Sequence, residues 1–168
     1  MNKVLIIDTC MLCVYLQVPY MDDCGPDNDK WDYKRVDEKI KDEIKNRSTL
    51  VLPMAALIET GNHIAQANGD RYKHALGLAD IIAKVAKEEE PWAAFTFQSK
   101  LWNEESLLKL SKEWPRLAAE KISIGDATIK SVAEYYARSG YTIEILTGDK
   151  GLKSYQPSQN INIPRRRK

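Results

Sequence analysis

Four carboxylates in this 168-residue sequence stand where an α/β chain does its chemistry: Asp8, Glu59, Asp126 and Asp149. Asp8 ends the short apolar run Lys3–Ile7. Glu59 falls in the second turn of a helical pattern (Met54, Leu57, Ile58, Gly61, Ile64, Ala65) that follows the run Thr49–Leu52 and Pro53. Asp126 opens a pattern that runs to Arg138 and stops at Gly140. Asp149 follows Thr142–Leu146 across a tight Thr147-Gly148 turn. In open α/β sheets ligands bind beyond the carboxyl ends of the strands. A helix that follows a strand begins at that same edge, so all four acids are expected on one side of the sheet. Clustered carboxylates repel one another unless some are protonated or a cation is bound. Oxygen-only donors suit Mg²⁺ or Mn²⁺, which commonly bind one or two carboxylates plus waters and substrate phosphate.

Each acid has a plainer role open to it when taken alone. Asp8 can cap a helix from Thr9, and Asp126 can be a cap or first-turn acid favoured by the helix dipole. Asp149 can be an ordinary turn residue. Glu59 can belong to a solvated stripe with Asn62, His63 and Gln66. Their joint placement at strand ends and early helical turns is what points to a site.

The elements that must hold these groups follow from periodicity. Lys3–Ile7, Thr49–Leu52 and Thr142–Leu146 are short, apolar and β-rich, and read as buried strands. Ile161–Ile163 reads as a short last strand. Helices are expected over Met11–Leu16, Asp32–Arg47, from Met54 onward, from the cap Asp70 to about Lys87, over Asn103–Glu113 and over Asp126–Arg138. Pro115 should kink a helix or start a new one. Gln17–Trp31, with Pro19, Gly25, Pro26 and several Asp residues, reads as a loop kept out of any phosphate-binding groove by its acids. Buried strands alternating with amphipathic helices predict an α/β layer fold with a mainly parallel sheet flanked by helices. With no internal linker, residues 1–164 are expected to form one domain, followed by the basic tail 165–168.

Composition narrows the classes. The formal net charge is +1, but Arg165–Lys168 carry four positive charges, leaving 21 basic against 24 acidic residues in 1–164. Bulk attraction to nucleic acid is excluded, and the tail suits either RNA backbone contact or simple solubility. No apolar run approaches a membrane span, and Asp8 breaks the apolar N-terminus early, so a cytoplasmic protein without membrane association is expected. Three cysteines, Cys10, Cys13 and Cys24, do not make a closed disulfide framework. Cys10 and Cys13 have the spacing of a redox pair, but they read more simply as small apolar residues on the buried side of a helix. Phosphate-loop, calcium-loop, zinc-hydrolase and serine-elbow patterns all fail on spacing or residue type.

The segments VLIIDTC (Val4–Cys10), LPMAALIETGNHI (Leu52–Ile64), ISIGDATIKSVAEYY (Ile122–Tyr136) and ILTGDKGL (Ile145–Leu152) together resemble the PIN-domain family of metal-dependent nucleases. Their order and phasing match the family's four signature segments. The resemblance implies a three-layer PIN-like fold, with metal-site and catalytic acids at Asp8, Glu59, Asp126 and Asp149. It also implies a role for Thr147, the small hydroxyl residue before the last acid. Thr9, Asn62, Lys130, Lys150 and Lys153 are weaker candidates for contact with substrate. Many members carry another acid where this chain has Lys130, which puts the ligand set of a second metal in doubt and offers a phosphate contact instead. The implied activity is Mg²⁺- or Mn²⁺-dependent hydrolysis of RNA. Small members of the family are often the toxins of toxin–antitoxin pairs, acting as homodimers blocked by an antitoxin-type protein partner.

Two other readings compete. One is a catalytically inactive PIN-like module that binds RNA or protein, against which stands the presence of all four acids. The other is a receiver-type phosphoacceptor domain. It expects an acid pair after the first strand and a Lys ending the last, and Asp8-Thr9 and Thr147-Gly148-Asp149 fit that poorly.

Overall fold

The structure is a computed structural model that describes residues 2–157. In chain order its elements are β1 (Lys3–Ile7), α1 (Thr9–Tyr15), β2 (Asp23–Cys24), β3 (Trp31–Asp32), α2 (Tyr33–Lys45), β4 (Thr49–Val51) and α3 (Met54–Gln66). There follow α4 (Arg71–Ala86), a 3-10 segment (Phe95–Trp102), α5 (Glu104–Ala119), α6 (Ile124–Arg138), β5 (Thr142–Leu146) and α7 (Lys150–Ser154).

β1 is the middle strand of a three-stranded sheet in the order β4-β1-β5, parallel throughout. Its sequence has no polar face because both faces are covered. Leu5 and Ile7 enter one core with Met11, Val36, Ala56 and Leu78. Val4 and Ile6, pointing the other way by the two-residue period of a strand, enter a second core with Ile129, Val132 and Leu152. Helices α1 to α4 therefore cover one face, and α6 with α7 the other. The expected α/β architecture, a parallel sheet flanked by helices, is the one the chain adopts.

This topology explains why one edge collects the acids. All three strands end at the same side, and each following helix starts there. α6 precedes a parallel strand, so its N-terminus also lies at that side. The β4–α3 junction is braced by Gln98, only 2% exposed, whose side chain donates to Leu52 O at 2.8 Å and accepts from Met54 N at 3.3 Å. An unbraced junction would leave two backbone groups without partners in the interior.

The structure departs from the sequence expectations in two places. The Gln17–Trp31 stretch is not only loop: Asp23–Cys24 pairs antiparallel with Trp31–Asp32. α5 runs through Pro115 to Ala119 instead of breaking there. None of its residues is fully buried, so water can satisfy the carbonyl that Pro115 cannot bond. Pro91–Phe97 holds a lone parallel bridge from Trp92 to Leu50 and then enters the 3-10 segment. The strand expected at Ile161–Ile163 and the basic tail 165–168 lie outside the described residues. Among the described residues no helix is long and apolar enough to cross a membrane.

Candidate active site

Asp8 sits at the hinge between β1 and α1, where its backbone N–H still donates to Leu146 O of β5 at 3.1 Å. Its Oδ1 accepts from Thr9 N at 2.7 Å and so caps α1. Its Oδ2 accepts from Thr147 Oγ1 at 2.7 Å and from Cys10 Sγ at 3.4 Å. The residue is only 7% exposed. Burial pushes its carboxyl above the ordinary carboxylate range and the charge of Asp126 adds to that, while the Thr147, Thr9 and Cys10 hydrogen bonds pull the other way.

Two more carboxylates are held at the same edge, each by a hydroxyl. Thr9, buried, donates from Oγ1 to Glu59 Oε2 at 2.8 Å. Ser123, the N-cap of α6, donates to Asp126 Oδ2 at 2.8 Å and accepts from Asp126 N at 3.0 Å. Ser123 Oγ thus both caps the first turn of α6 and donates to the carboxylate of its third residue. Gly125 brings α6 onto Glu59: a Cβ at that position would lie 2.3 Å from Glu59 Oε1. Thr147, Thr9 and Ser123 thus pin Asp8, Glu59 and Asp126 respectively.

Asp149 joins the group through its backbone. Its N–H donates to Thr147 Oγ1 at 3.0 Å, the oxygen that also reaches Asp8. Its side chain turns away to cap α7, Oδ1 accepting from Gly151 N at 2.6 Å and Leu152 N at 3.1 Å. The remaining candidates are spread out. Thr9 faces Glu59 and is not open to a substrate. Asn62 is exposed one turn beyond Glu59. Lys130 lies over the Tyr155 ring at 4.8 Å and lines a groove of about 430 Å³ between the 3-10 segment, α5 and α6, which Lys100 and Lys109 also line. Asp8, Glu59 and Asp126 are not among the residues lining that groove. Lys150 and Lys153 are exposed on α7, and the Lys153 charge is felt by Asp29.

The Gln17–Trp31 stretch comes closer to this edge than its acids suggested. A Cβ at Gly148 would lie 2.6 Å from Gly25 N and 3.3 Å from the Cys24 carbonyl carbon, so the β2 end of that stretch packs on the Thr147–Asp149 turn. Neither Ser123 nor Gly125 is among the residues the sequence marks for the site. The Ser-x-x-Asp spacing ahead of an apolar periodic run is the signal for the first. Nothing local marks Gly125, whose partner is 66 residues away in sequence.

The donor set is one of hard oxygens, the kind a divalent cation such as Mg²⁺ takes. It does not form a closed cage: among the described residues no three His, Cys, Asp or Glu side chains are grouped closely enough to hold an ion between them. At the edge where the sequence puts them, Asp8, Glu59 and Asp126 each take a hydrogen bond from a local hydroxyl, and Asp149 caps α7. Comparison of the chain with protein-family models, with curated proteins and with solved structures gave no match in any of the three.

Proposed function

We propose that this chain is a PIN-like, metal-dependent ribonuclease whose site is built on Asp8, Glu59 and Asp126, with Asp149 at its margin. The observation that carries this reading is the hydroxyl-pinned trio at one edge of the sheet, in which a buried Asp8 feels the like charge of Asp126. Carboxylates fixed before substrate arrives cost little reorganisation during reaction. Asp8 and Asp126 would hold Mg²⁺ or Mn²⁺, which when bound supplies charge neutralisation at a phosphodiester and a more acidic water. Thr147 fixes Asp8 Oδ2 by its hydroxyl, and Thr9 fixes Glu59, whose carboxylate lies against Gly125 of α6. Lys130, with Lys100 and Lys109 on the adjoining groove, offers cations to the RNA backbone. The same reading takes a cytoplasmic homodimer and an antitoxin-type protein partner as the working context.

The test is cleavage of labelled single-stranded RNA with Mn²⁺ or Mg²⁺, with EDTA and Asp126→Asn as controls. Metal-dependent cleavage by wild type and its loss in the variant are expected. Equal cleavage by both across several RNAs sinks the reading. One observation favours a second reading, an RNA-binding module that does not cut: Asp149 spends Oδ1 on α7, and among the described residues no three ligating groups are grouped. Tight RNA binding without cleavage is its signature.

Gly125→Ala gives a finer test. Its Cβ would displace the Glu59 carboxylate, the far end of a flexible side chain, so the fold should tolerate it. Alanine also gains up to ~1 kcal/mol of helix propensity over glycine. Cleavage is expected to fall by about 10- to 100-fold from misplacement alone, with an unchanged or raised Tm. A drop in Tm matching the drop in activity would remove Glu59 from the site.

A further inference from the structure

Cys10 and Cys24 are 14 positions apart in sequence, yet both lie against the Gly148 turn beside Asp8, and nothing in the proposed reaction uses them. Cys10 Sγ donates to Asp8 Oδ2 at 3.4 Å and accepts from Gly148 N at 3.5 Å. Cys24 stands on β2, its Sγ 3.5 Å from the Sδ of Met11, the neighbour of Cys10 on α1. A second, independent contact fixes the same approach: Gly148, which touches Cys10 through its N–H, is pressed by the backbone of Cys24 and Gly25 so closely that no Cβ would fit. Both cysteines are partly exposed. Cys13, which the sequence spacing would pair with Cys10, is instead fully buried against Thr60 at 3.9 Å.

We propose that Cys10 and Cys24 are a modification site: they form a reversible disulfide that ties the β2 ribbon to α1 and alters the support of Asp8. The oxidant is a peroxide. Cys24 sulfur attacks the peroxide oxygen, giving a sulfenic acid and releasing water. Cys10 sulfur then attacks that sulfenic sulfur, forming the S–S bond and releasing a second water. In balance, two thiols and one hydrogen peroxide give one disulfide and two waters. The two thiols lose two electrons and the peroxide gains them. A dithiol reductant reverses the step by exchange. In the disulfide Cys10 has no S–H, so Asp8 Oδ2 loses that donor and keeps only Thr147. The control of cleavage rests on the nuclease reading, whereas formation of the disulfide does not.

The full chain, reduced and then treated with hydrogen peroxide, is denatured, alkylated and cleaved before Asp residues. That cleavage separates Cys24 from Cys10 and Cys13. The expected result is a monomer with one Cys10–Cys24 cross-link, Cys13 alkylated, and full reversal by dithiothreitol. RNA cleavage by the oxidised wild type should fall about tenfold and recover on reduction, while Cys24→Ser is indifferent to peroxide. Free alkylation of both Cys10 and Cys24, a Cys10–Cys13 link or an intermolecular dimer overturns the proposal. So does a Cys10–Cys24 disulfide that leaves cleavage unchanged. If the reduced protein cuts no RNA, the nuclease reading fails, and metal affinity of the two redox forms, measured by Mn²⁺ titration, decides whether the disulfide acts on Asp8.

Discussion

Asp8→Asn is expected to lower metal-dependent RNA cleavage by on the order of 10³-fold without unfolding the protein. Asparagine keeps an oxygen for Thr9 N and so keeps the cap on α1. What it removes is a charge that the fold holds at a disadvantage. Burial raises the Asp8 carboxyl above its ordinary 3.8, and the nearby Asp126 adds to this. The sign follows from linkage: the folded chain keeps the Asp8 proton to higher pH than the unfolded chain does. Stability from this group is therefore largest in acid and declines as pH rises from about 3.8 through the folded value. At neutral pH the ionised Asp8 is destabilising, and Asn at this position should leave Tm unchanged or raise it. A bound cation would offset the same cost. Saturating Mn²⁺ at ~100 times its Kd should add about 2.7 kcal/mol to wild type and far less to the variant. Thermal melts with and without Mn²⁺ measure this independently of turnover. A variant that loses stability but keeps cleavage would make Asp8 a cap and nothing more.

Much of the scaffold was legible because it obeys strong local rules. The runs Lys3–Ile7 and Thr142–Leu146 could only be buried strands, and once parallel they had to end on one edge. Asp8, Asp126 and Asp149 could be placed at that edge from their neighbours alone. What could not be read is what each side chain does there. Asp149 is one residue from a cation-rich helix start, and its own N-cap geometry turns it aside. Glu59 depends on Thr9 and Gly125, contacts that cross 50 and 66 positions of chain. The β2–β3 ribbon has two residues per strand and no apolar alternation, so its pairing is set by packing on α1 and the Gly148 turn, not by propensity. The thiol pair of Cys10 and Cys24 was hidden by the same ribbon.

The opposite end of the sheet carries the largest expected effect on stability. Glu43 of α2 is buried and accepts from Ser48 Oγ at 2.5 Å, from Lys39 Nζ at 2.7 Å and from Lys3 Nζ. Lys3 and Lys39 in turn reach Glu144 of β5 at 2.6 and 2.9 Å. Two strands and a helix are thus joined by alternating charges. Burial alone would push the Glu43 carboxyl up, but the hydrogen bonds from Lys3, Lys39 and Ser48 outweigh it and hold it at about 2. Lys3 is held above its ordinary 10.5, its bonds to Glu144 and Glu43 exceeding the lowering effect of burial. Glu43→Ala leaves the Ser48 hydroxyl without its acceptor and the two ammonium groups with Glu144 as their remaining partner, and is expected to cost about 1.5–3 kcal/mol. Acid should reproduce part of that loss. The unfolded chain takes up the Glu43 proton near 4.5 and the folded chain near 2, so the contribution is complete above the first value and vanishes below the second. It amounts to about 3 kcal/mol at most. Lys3 acts with the opposite sign: its contribution is present below about 10.5 and is lost as pH rises through the higher folded value. Urea midpoints at pH 7 and pH 3 should therefore converge for Glu43→Gln and diverge for wild type, and midpoints that fall in parallel would show that the network does not hold the sheet. Because Glu43 lies at the end of the strands away from Asp8, RNA cleavage per folded molecule should be the same in Glu43→Gln as in wild type. That separates a weakened scaffold from a damaged site.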